Sequence, residues 1–487
     1  MIEEQIKIHD KFSIEIKLRL AARRKAKKSE FAVNTWLFIP AALDINHSTY
    51  SKNDFYHDLK SNIRLITPVY LLRDIAASEN SPLAFLTTVF QKVASSPTRT
   101  LAAEYEYHIK MFLSILKSSL REEIQHILNN KLPADTAYLI DEFCKNISQI
   151  SKRYRELHFI INAPTISEEL MNYYSFGDEF MSNLIEEHTF KLLASLKQSH
   201  PSFNKTWQKQ LLSIVQDEIK YKKEHNYPVV EEKSPTRNRE LISHFNLLKK
   251  FAESELFLTG EKKKEGILVE QIYFSIATGL SMVFATAVAF TFQLKYGSLT
   301  MPLFVALVVS YMLKDRIKEL FRYYFASHLG HRYFDHKTEI SLNNITIGIS
   351  KEGMDFIPEK KVLSNVMKIR SRSPILEVNN RYDTEKIILY RKILYLDRRK
   401  LNELSLYLTP GINEILRLNV DSFIQKMDDP EVPLFIPDEN KGYAIINGER
   451  IYYINLIMQL SSENETAYRR YRILLNRKGI KAIENLS

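Results

Sequence analysis

The chain contains an uncharged stretch that is long enough to cross a lipid bilayer. Residues 271–294, between Glu270 and Lys295, form a run of 24 residues with no charged side chain and no proline. As an α-helix this run is roughly 36 Å long, whereas the hydrocarbon core of a bilayer is about 30 Å thick. A transmembrane helix is therefore predicted over residues 268–294. The alternative is a hydrophobic helix in the core of a soluble domain, which seldom needs this length.

A second apolar stretch follows after a short break. Residues 296–313 carry no charge, and their most apolar part reads MPLFVALVVSYML. As a helix the stretch is roughly 27 Å long, which is marginal for a span. A second transmembrane helix is predicted over residues 299–316, with Lys314 and Arg316 extending toward the headgroups. A re-entrant hairpin is the alternative for this segment.

Positive charge flanks the two apolar stretches on their outer sides. The flanking cations are Lys262, Lys263 and Lys264 before the first stretch, and Lys314, Arg316, Lys318 and Arg322 after the second. The connecting turn contains Lys295 alone. Because cytoplasmic loops carry an excess of Lys and Arg, both flanks are predicted to be cytoplasmic. The sequence therefore predicts an integral protein of the cell or inner membrane with both termini in the cytoplasm.

Two helix faces near the apolar stretches have a regular pattern. The first stretch carries small residues at a spacing of four: Ala277, Ser281, Ala285 and Ala289. Such a face lets helix backbones approach closely, so we expect it to pack against the second helix or against another copy of the chain. After the second stretch, apolar residues recur at three and four opposite charged ones, which predicts an amphipathic interfacial helix over residues 317–330.

The rest of the chain alternates between strand-like and helix-like texture, so the predicted fold class is an α+β membrane protein. Residues 1–75 read as a small α+β segment, in which 11–20 and 31–40 form a β-hairpin and Ser51 and Asp54 form a helix capping box. Residues 76–265 read as a mostly helical cytosolic domain with proline-bearing breaks. Residues 337–487 read as a strand-rich, antiparallel α+β cytosolic domain that includes one helix at 411–427.

Composition excludes several function classes. Cys144 is the only cysteine, so an internal disulfide is excluded, and the charged N-terminus lacks the apolar core of a secretory signal. The chain has only 12 glycines, and no glycine-rich phosphate loop, dinucleotide fingerprint, serine-hydrolase elbow or zinc-protease motif occurs in it. No cofactor is predicted.

Two groups have residue types that are suited to metal ions, although no metal site is predicted. His328, His331, Asp335 and His336 lie close together in the segment HLGHRYFDH, where histidine and tyrosine also suit a membrane interface. Asp438, Glu439 and Lys441 are the types that a metal-dependent nuclease uses, but all three crowd one proline-led turn. A plain hairpin loop is the favoured reading of this second group.

The densest run of positive charge lies near the N-terminus. It consists of Lys17, Arg19, Arg23, Arg24, Lys25, Lys27 and Lys28. Such a run predicts binding to anionic lipid headgroups or another anionic surface, with nucleic acid as a less favoured partner. A solvated hairpin tip is the alternative without a function.

These patterns favour a non-enzymatic function. The leading hypothesis is a membrane-anchored, cytosol-facing scaffold, regulator or sensor that binds the lipid bilayer together with a protein partner or a second copy of itself. The first alternative is an oligomeric pore-forming or membrane-perturbing effector. The second alternative is a membrane-tethered, metal-dependent nuclease that would use Asp438, Glu439 and Lys441.

Overall fold

The computed structural model describes residues 2–22, 27–130, 132–164, 166–199, 205–265, 267–297, 300–329, 334–372, 385–438, 442–463 and 465–487. The fold is α+β, as the sequence predicts, with a helical part and strand-rich antiparallel sheets. The chain divides into two compact units. The strand-rich unit comprises Met1–Ile63, Thr259–Leu406 and Gly411–Ser487, and the helical unit comprises Arg64–Leu258 and Tyr407–Pro410.

Strands dominate both ends of the chain, and helices dominate its middle. The N-terminal elements are β1 (Ile2–Asp10), β2 (Ser13–Ala21), β3 (Lys28–Ile39), α1 (Lys52–Asp58) and β4 (Leu59–Leu65). The helical elements are α2 (Leu72–Ala77), α3 (Pro82–Ser95), α4 (Arg99–Asn129), α5 (Pro133–Glu156), α6 (His158–Ile161), α7 (Glu168–Ser199), α8 (Lys205–Glu224) and α9 (Pro235–Glu253). The central elements are β5 (Thr259–Lys264), α10 (Ile267–Tyr296), α11 (Met301–Leu329) and β6 (His336–Leu342). The C-terminal elements are β7 (Ile345–Ile357), α12 (Ser364–Arg370), β8 (Lys386–Asp397), α13 (Arg398–Leu404), β9 (Gly411–Asn419), α14 (Asp421–Ile424), β10 (Glu431–Asp438), β11 (Gly442–Glu449), β12 (Tyr452–Ser462), β13 (Glu465–Asn476) and β14 (Gly479–Asn485).

The described strands form three sheets. The largest has eight strands in the order β14-β13-β12-β3-β8-β7-β6-β5, and every neighbouring pair is antiparallel. A second sheet has the order β1-β2-β9-β4, and the third consists of β10 and β11 alone. One cluster of the core lies against the large sheet and contains Trp36, Phe38, Val362, Val366, Ile387 and Ile457. This cluster joins the first and last thirds of the chain.

The predicted hairpin between residues 11–20 and 31–40 is wrong. β2 pairs with β1 and β9, whereas β3 pairs with β8 and β12 in the other sheet. The last four residues of β3, WLFI, form an unbroken apolar run that is buried throughout, which is typical of a strand with a neighbour on each side. β3 therefore needs partners from the C-terminal part of the chain.

Two further predictions concern local structure. The capping box is present: the Ser51 side chain accepts from Asp54 N, and the Asp54 side chain accepts from Ser51 N, at the start of α1. The helix predicted over 411–427 is wrong, because Gly411–Asn419 forms β9 and only Asp421–Ile424 is helical. The apolar residues of this short segment fit both the helical and the strand period. Pairing with β2 stabilises the strand.

The core of the helical unit contains a column of stacked aromatic rings. The ring of Tyr154 lies between those of Phe112 and Tyr174, with centroids 5.4 and 5.3 Å away. Gly177 on α7 permits this arrangement, because a Cβ at that position would lie 2.2 Å from the Tyr154 hydroxyl. The buried Tyr154 hydroxyl donates to the Tyr174 carbonyl at 3.2 Å.

Candidate functional site

A pair of long helices is inserted between two strands that pair with each other. β5, at one edge of the large sheet, is antiparallel to β6 from Thr259↔Ser341 to Lys264↔His336. One step beyond this ladder, Glu265 N donates to Asp335 O at 3.1 Å. The chain therefore enters and leaves the α10–α11 hairpin at adjacent points.

The first helix of the hairpin is unlike a core helix. Its segment Gln271–Tyr296 has a mean hydropathy of 1.7, and only 17% of its most apolar window is buried. Within the described residues, α10 is the one helix that is long and apolar enough to cross a membrane. Large apolar side chains are exposed along α10 and along the first half of α11: Ile272, Ile276, Leu280, Met282, Val283, Phe290, Met301, Phe304, Val305, Val308, Val309 and Met312.

Small residues form the contact between the two helices. Ala277, Ser281 and Ala285 on α10 are buried, as are Ala306 and Ser310 on α11. The Ser310 hydroxyl lies 3.5 Å from the Ala285 carbonyl oxygen. Three members of the predicted small-residue face are thus buried, whereas Ala289 is half-buried. Close approach of helix backbones at such residues is the usual role of small side chains in apolar helix pairs.

The register of the hairpin sets α11 charges beside apolar residues of α10. Ser310 lies at the level of Ala285, and the Arg322 guanidinium lies 5.1 Å from the centre of the Phe274 ring. α11 is continuous from Met301 to Leu329, so residues 317–329 extend the same helix. The part of the pair in which both helices are uncharged runs from the connecting turn to the level of Leu313, where the uncharged stretch of α11 ends. This part is roughly 20 Å long at the α-helical rise.

A cluster of ion pairs lies at the base of the hairpin. Lys262 Nζ on β5 is 2.5 Å from Glu352 Oε1 on β7, and it also lies 4.6 Å from the centre of the Tyr56 ring. The His336 ring packs edge-on against Tyr56, with centroids 4.4 Å apart. Burial and the neighbouring Lys262 lower the pKa of His336, so its ring is neutral at neutral pH. Lys351 and Glu265 form another ion pair beside this point.

Asp335, the last described residue before β6, is held by three donors. Lys52 Nζ is 2.7 Å from Oδ1, while the Tyr56 hydroxyl donates to Oδ2 at 2.8 Å and Met354 N donates to Oδ2 at 2.7 Å. Lys52 also lies 3.1 Å from Oδ1 of Asp355 on β7. Helix α1 is thereby tied to the residue that precedes β6 and to β7.

The most deeply buried charges of the cluster are on β7, β8 and β9. Lys392 Nζ contacts Glu414 and lies 3.5 Å from Glu352 Oε2, which also accepts from the Tyr390 hydroxyl at 2.7 Å. Burial by itself would raise the pKa of Glu352, but Lys392, Lys262 and the Tyr390 hydroxyl outweigh it and lower the pKa to about 2. The carboxylates Glu352 and Glu414 also hold the pKa of Lys392 above its ordinary value despite burial. Glu352 and Lys392 are therefore both charged at neutral pH.

We refer to these residues as the base cluster: Lys52, Tyr56, Lys262, Asp335, His336, Glu352, Asp355, Tyr390, Arg391, Lys392 and Glu414. Arg391 completes it by contacting Asp355 at 2.8 Å. Its acids and bases pair with one another across β5, β6, β7, β8, β9 and α1. Chemically, the arrangement is suited to holding these elements in one geometry. Breaking a buried ion pair by removing one partner costs about 3–5 kcal/mol.

The histidine-rich segment is only partly described. Asp335 and His336 belong to the base cluster, His328 lies in α11 with a side chain outside the described set, and His331 lies outside the described residues. The Asp335 oxygens already accept from Lys52, Tyr56 and Met354 N. Across the described parts of the chain, no group of three His, Cys, Asp or Glu side chains is placed to hold a metal ion.

The other predicted site residues are dispersed. Asp438 lies at the end of β10 opposite Gly442, and Glu439 and Lys441 lie outside the described residues. Lys17 and Arg19 lie on β2, and Arg19 is 3.5 Å from Glu3. Lys27 and Lys28 are exposed, and Lys28 lines a cavity of about 370 Å³ together with Lys400 and Asp397. Arg23, Arg24 and Lys25 lie outside the described residues.

The helical unit contains a second buried ion-pair group that the sequence did not reveal. Arg155 on α5 lies 3.3 Å from Asp178 on α7 and 2.7 Å from Glu218 on α8, and its guanidinium covers the Tyr221 ring at 3.5 Å. Burial raises the pKa of Asp178, although Arg155 and Tyr221 act in the opposite direction. The group joins three helices that are far apart in sequence.

No family model, curated protein or solved structure matches the chain. Function is therefore inferred from the α10–α11 hairpin, its base cluster and the surfaces of the strand-rich unit.

Proposed function

We propose that the chain is a non-enzymatic scaffold or sensor that is anchored in a membrane by the α10–α11 hairpin. The observation that carries this proposal is the exposure of α10, whose most apolar window is only 17% buried. A core helix of a soluble protein would be covered by its own fold. Transfer of apolar surface out of water contributes roughly 25 cal/mol per Å². The exposed apolar side chains along α10 therefore strongly favour insertion of this helix into lipid.

The strand pairing supports a cytosol-facing arrangement with both flanks on one side. Because Lys264 pairs with His336, α11 must return to the side from which α10 departs. The positive charges before and after the hairpin are typical of the cytoplasmic side. Both termini and the whole strand-rich unit then face the cytosol.

The hairpin register favours shallow, re-entrant insertion over a full crossing. The part that is apolar on both helices is roughly 20 Å long, whereas the hydrocarbon core is about 30 Å thick. A full crossing would bring the exposed side chains of Asp315 and Glu319 into hydrocarbon, and short acidic side chains reach the headgroups less readily than Lys or Arg. We therefore propose that the connecting turn lies inside the bilayer.

The scaffold role is supported by the ion pairing of the buried charged groups in the strand-rich and helical units. The buried charges of the base cluster pair with one another, and so do Arg155, Asp178 and Glu218. Such pairing keeps elements in register and occupies the groups that chemistry would need. A pore lined by the small-residue face is less well supported, because Ala277, Ser281 and Ala285 are buried.

Single-cysteine labelling tests the anchor and its depth. Because Cys144 is the only cysteine, Cys144→Ser gives a background in which a thiol is added at exposed Tyr296 near the hairpin turn, or as a control at exposed Leu406. In sealed vesicles we expect a membrane-impermeant maleimide to label Leu406→Cys from the cytosolic side. Tyr296→Cys should be labelled from neither side until detergent is added.

Three results would contradict parts of this proposal. Labelling of Tyr296→Cys from the outer side would show a full crossing and contradict re-entrant insertion. Labelling of both thiols from the cytosolic side would contradict membrane insertion. Catalytic turnover by the purified full chain that disappears with a base-cluster substitution would contradict the non-enzymatic role.

A further inference from the structure

The strand-rich unit contains a two-stranded ribbon that is exposed on both faces. Among the strands that the structure describes, β10 and β11 pair only with each other. Phe435 lies opposite Ile445, and Leu434 lies opposite Ile446. Since residues directly opposite share a face and neighbours along a strand alternate, these two pairs lie on opposite faces of the ribbon. The large exposed apolar residues are Leu434, Phe435, Ile436, Tyr443, Ile445 and Ile446.

The two edges of the ribbon differ in their capacity to bind a further strand. Arg450 N donates to Pro430 O at 2.8 Å, so Pro430 and Arg450 form a hydrogen-bonded pair at the base of the ribbon. Because such pairs alternate along an antiparallel ladder, the odd-numbered residues of β10 turn their N–H and C=O groups outward. Pro433 and Pro437 are both at outward positions, and proline has no N–H to donate. The outer edge of β10 is therefore blocked.

The outer edge of β11 carries no further strand among the residues that the structure describes. Its outward positions are those opposite the outward residues of β10, namely Tyr443, Ile445 and Asn447 in the middle of the strand. None of them is proline, and residues 442–448 carry no charge. An unprotected, uncharged, apolar edge strand is a template for another strand.

We propose that β11 pairs antiparallel with β11 of a second copy of this chain, about a two-fold axis at Ile445. In this register Ile445 exchanges both backbone hydrogen bonds with its counterpart, and Tyr443 lies opposite Asn447, so no like charges meet. The pairing continues the apolar rows across four strands on both faces, since Ile445 meets Ile445 and Ala444 meets Ile446. The blocked outer edge of β10 stops further addition, so the assembly closes as a dimer.

A second copy is the occupant that this edge fits best. An antiparallel strand edge without charge is complementary to itself, whereas an edge that is built for a charged peptide would carry the opposite charge. The ribbon is also fixed at its base, because Lys478 contacts Glu431 and Lys481 contacts Glu449, both at 2.5 Å. It therefore presents β11 in a defined orientation. The inference does not depend on insertion of the α10–α11 hairpin into a membrane.

Cross-linking of the full-length chain in mild detergent tests the dimer. In the Cys144→Ser background, Ile445→Cys places a thiol on the two-fold axis, where Cα atoms about 5.5 Å apart suit a disulfide. Phe435→Cys is the matched control, because Phe435 is 66% exposed and Ile445 55% exposed, but Phe435 lies on the blocked strand. We expect mild oxidation to link Ile445→Cys into dimers and to leave Phe435→Cys unlinked.

Proline substitution tests the same edge without a cross-linker. Ile445→Pro removes an outward N–H, as the natural prolines of β10 do, and so leaves the β10–β11 ladder intact. Loss of the two central hydrogen bonds should raise the dimer dissociation constant about thirtyfold, whereas Phe435→Pro should leave it unchanged. A wild-type chain that is monomeric at micromolar concentration overturns the inference. Equal cross-linking of Phe435→Cys and Ile445→Cys would also overturn it. If Ile445→Cys does not cross-link and a fluorescent label on it is quenched by lipid-borne quenchers, β11 contacts lipid and the inference is wrong.

Discussion

Lys262 Nζ lies 2.5 Å from Glu352 Oε1, so a side chain on the strand that leads into the helical hairpin reaches past β6 to β7. Glu352 also accepts from Tyr390 and lies beside Lys392. This carboxylate therefore joins the base of the hairpin to the centre of the large sheet. Substitution and pH both test that role.

Glu352→Gln should destabilise the full chain, and the size of the effect should depend on pH. The pKa of Glu352 is lowered to about 2, so its charged form is stabilised by folding. That contribution, on the order of 3 kcal/mol, is fully present above the unfolded-state pKa near 4.5 and is lost as pH falls toward 2. Thermal unfolding in mild detergent from pH 6 to pH 2 measures the difference between wild type and variant.

An exposed acid on β5, one strand further from Glu352 than β6, provides the control for this experiment. Glu261→Gln on β5 removes a surface pair with Lys263, and because both side chains are exposed it should leave the free energy of unfolding nearly unchanged at every pH. A stability gap between wild type and Glu352→Gln that stays constant down to pH 2 would contradict the ion-pair account.

Removal of one partner of the Lys392–Glu414 pair should cost more than removal of both. Lys392→Met leaves Glu414 buried without its cation, which we expect to cost about 3–5 kcal/mol. The double variant Lys392→Met/Glu414→Leu removes both charges and should regain part of that loss. Chemical denaturation of the four proteins in this cycle measures the coupling, and strictly additive effects would contradict a direct pair.

Gly177→Ala should destabilise the helical unit through a contact with one hydroxyl. The added Cβ would lie 2.2 Å from Tyr154 Oη, and relief of such a clash typically costs about 1–3 kcal/mol. In a Tyr154→Phe background the hydroxyl is absent, so the same alanine should cost less. Equal destabilisation in the two backgrounds, measured by thermal unfolding, would show that the clash is not the cause.

Cys144 should react slowly with thiol reagents in the folded chain. Burial, with a smaller effect from Asp141, raises the pKa of its thiol to about 12, so little thiolate exists at neutral pH. We expect the rate of maleimide labelling to rise steeply between pH 7 and pH 9 and to increase further on unfolding. Labelling as fast as that of free cysteine at pH 7 would contradict this environment.

Local patterns in the sequence identified the elements that depend on few neighbours. The uncharged run at 271–294 predicts most of α10, and the Ser51 and Asp54 side chains predict the start of α1. Both signals act within one element, through helix length and through a hydrogen bond three residues away. No knowledge of the remaining fold is needed for either.

The strand partners and the base cluster cannot be predicted from the sequence, because both depend on pairing between residues that are far apart in the chain. β3 lies between β8 and β12, more than 300 residues away in sequence, and nothing in residues 31–40 indicates which strands those are. Asp335 and His336 have the residue types of metal ligands, so the sequence marks them as candidates. Nothing in the sequence distinguishes Lys52, Lys392 and Glu414 from surface residues, because only the folded sheets bring them together. The helix prediction for residues 411–427 is wrong for the same reason, because pairing with β2 is what selects the strand β9.

Flotation with liposomes tests the central claim, that the α10–α11 hairpin anchors the chain in lipid. The matched control replaces residues 266–334 by an Asn-Gly turn, because Glu265 and Asp335 are already joined by a backbone hydrogen bond and a two-residue turn closes such a ladder. The account predicts that the full chain floats with the liposomes in high salt and that the control stays folded at the bottom of the gradient. A full chain that stays at the bottom, folded and monodisperse without detergent, would contradict it.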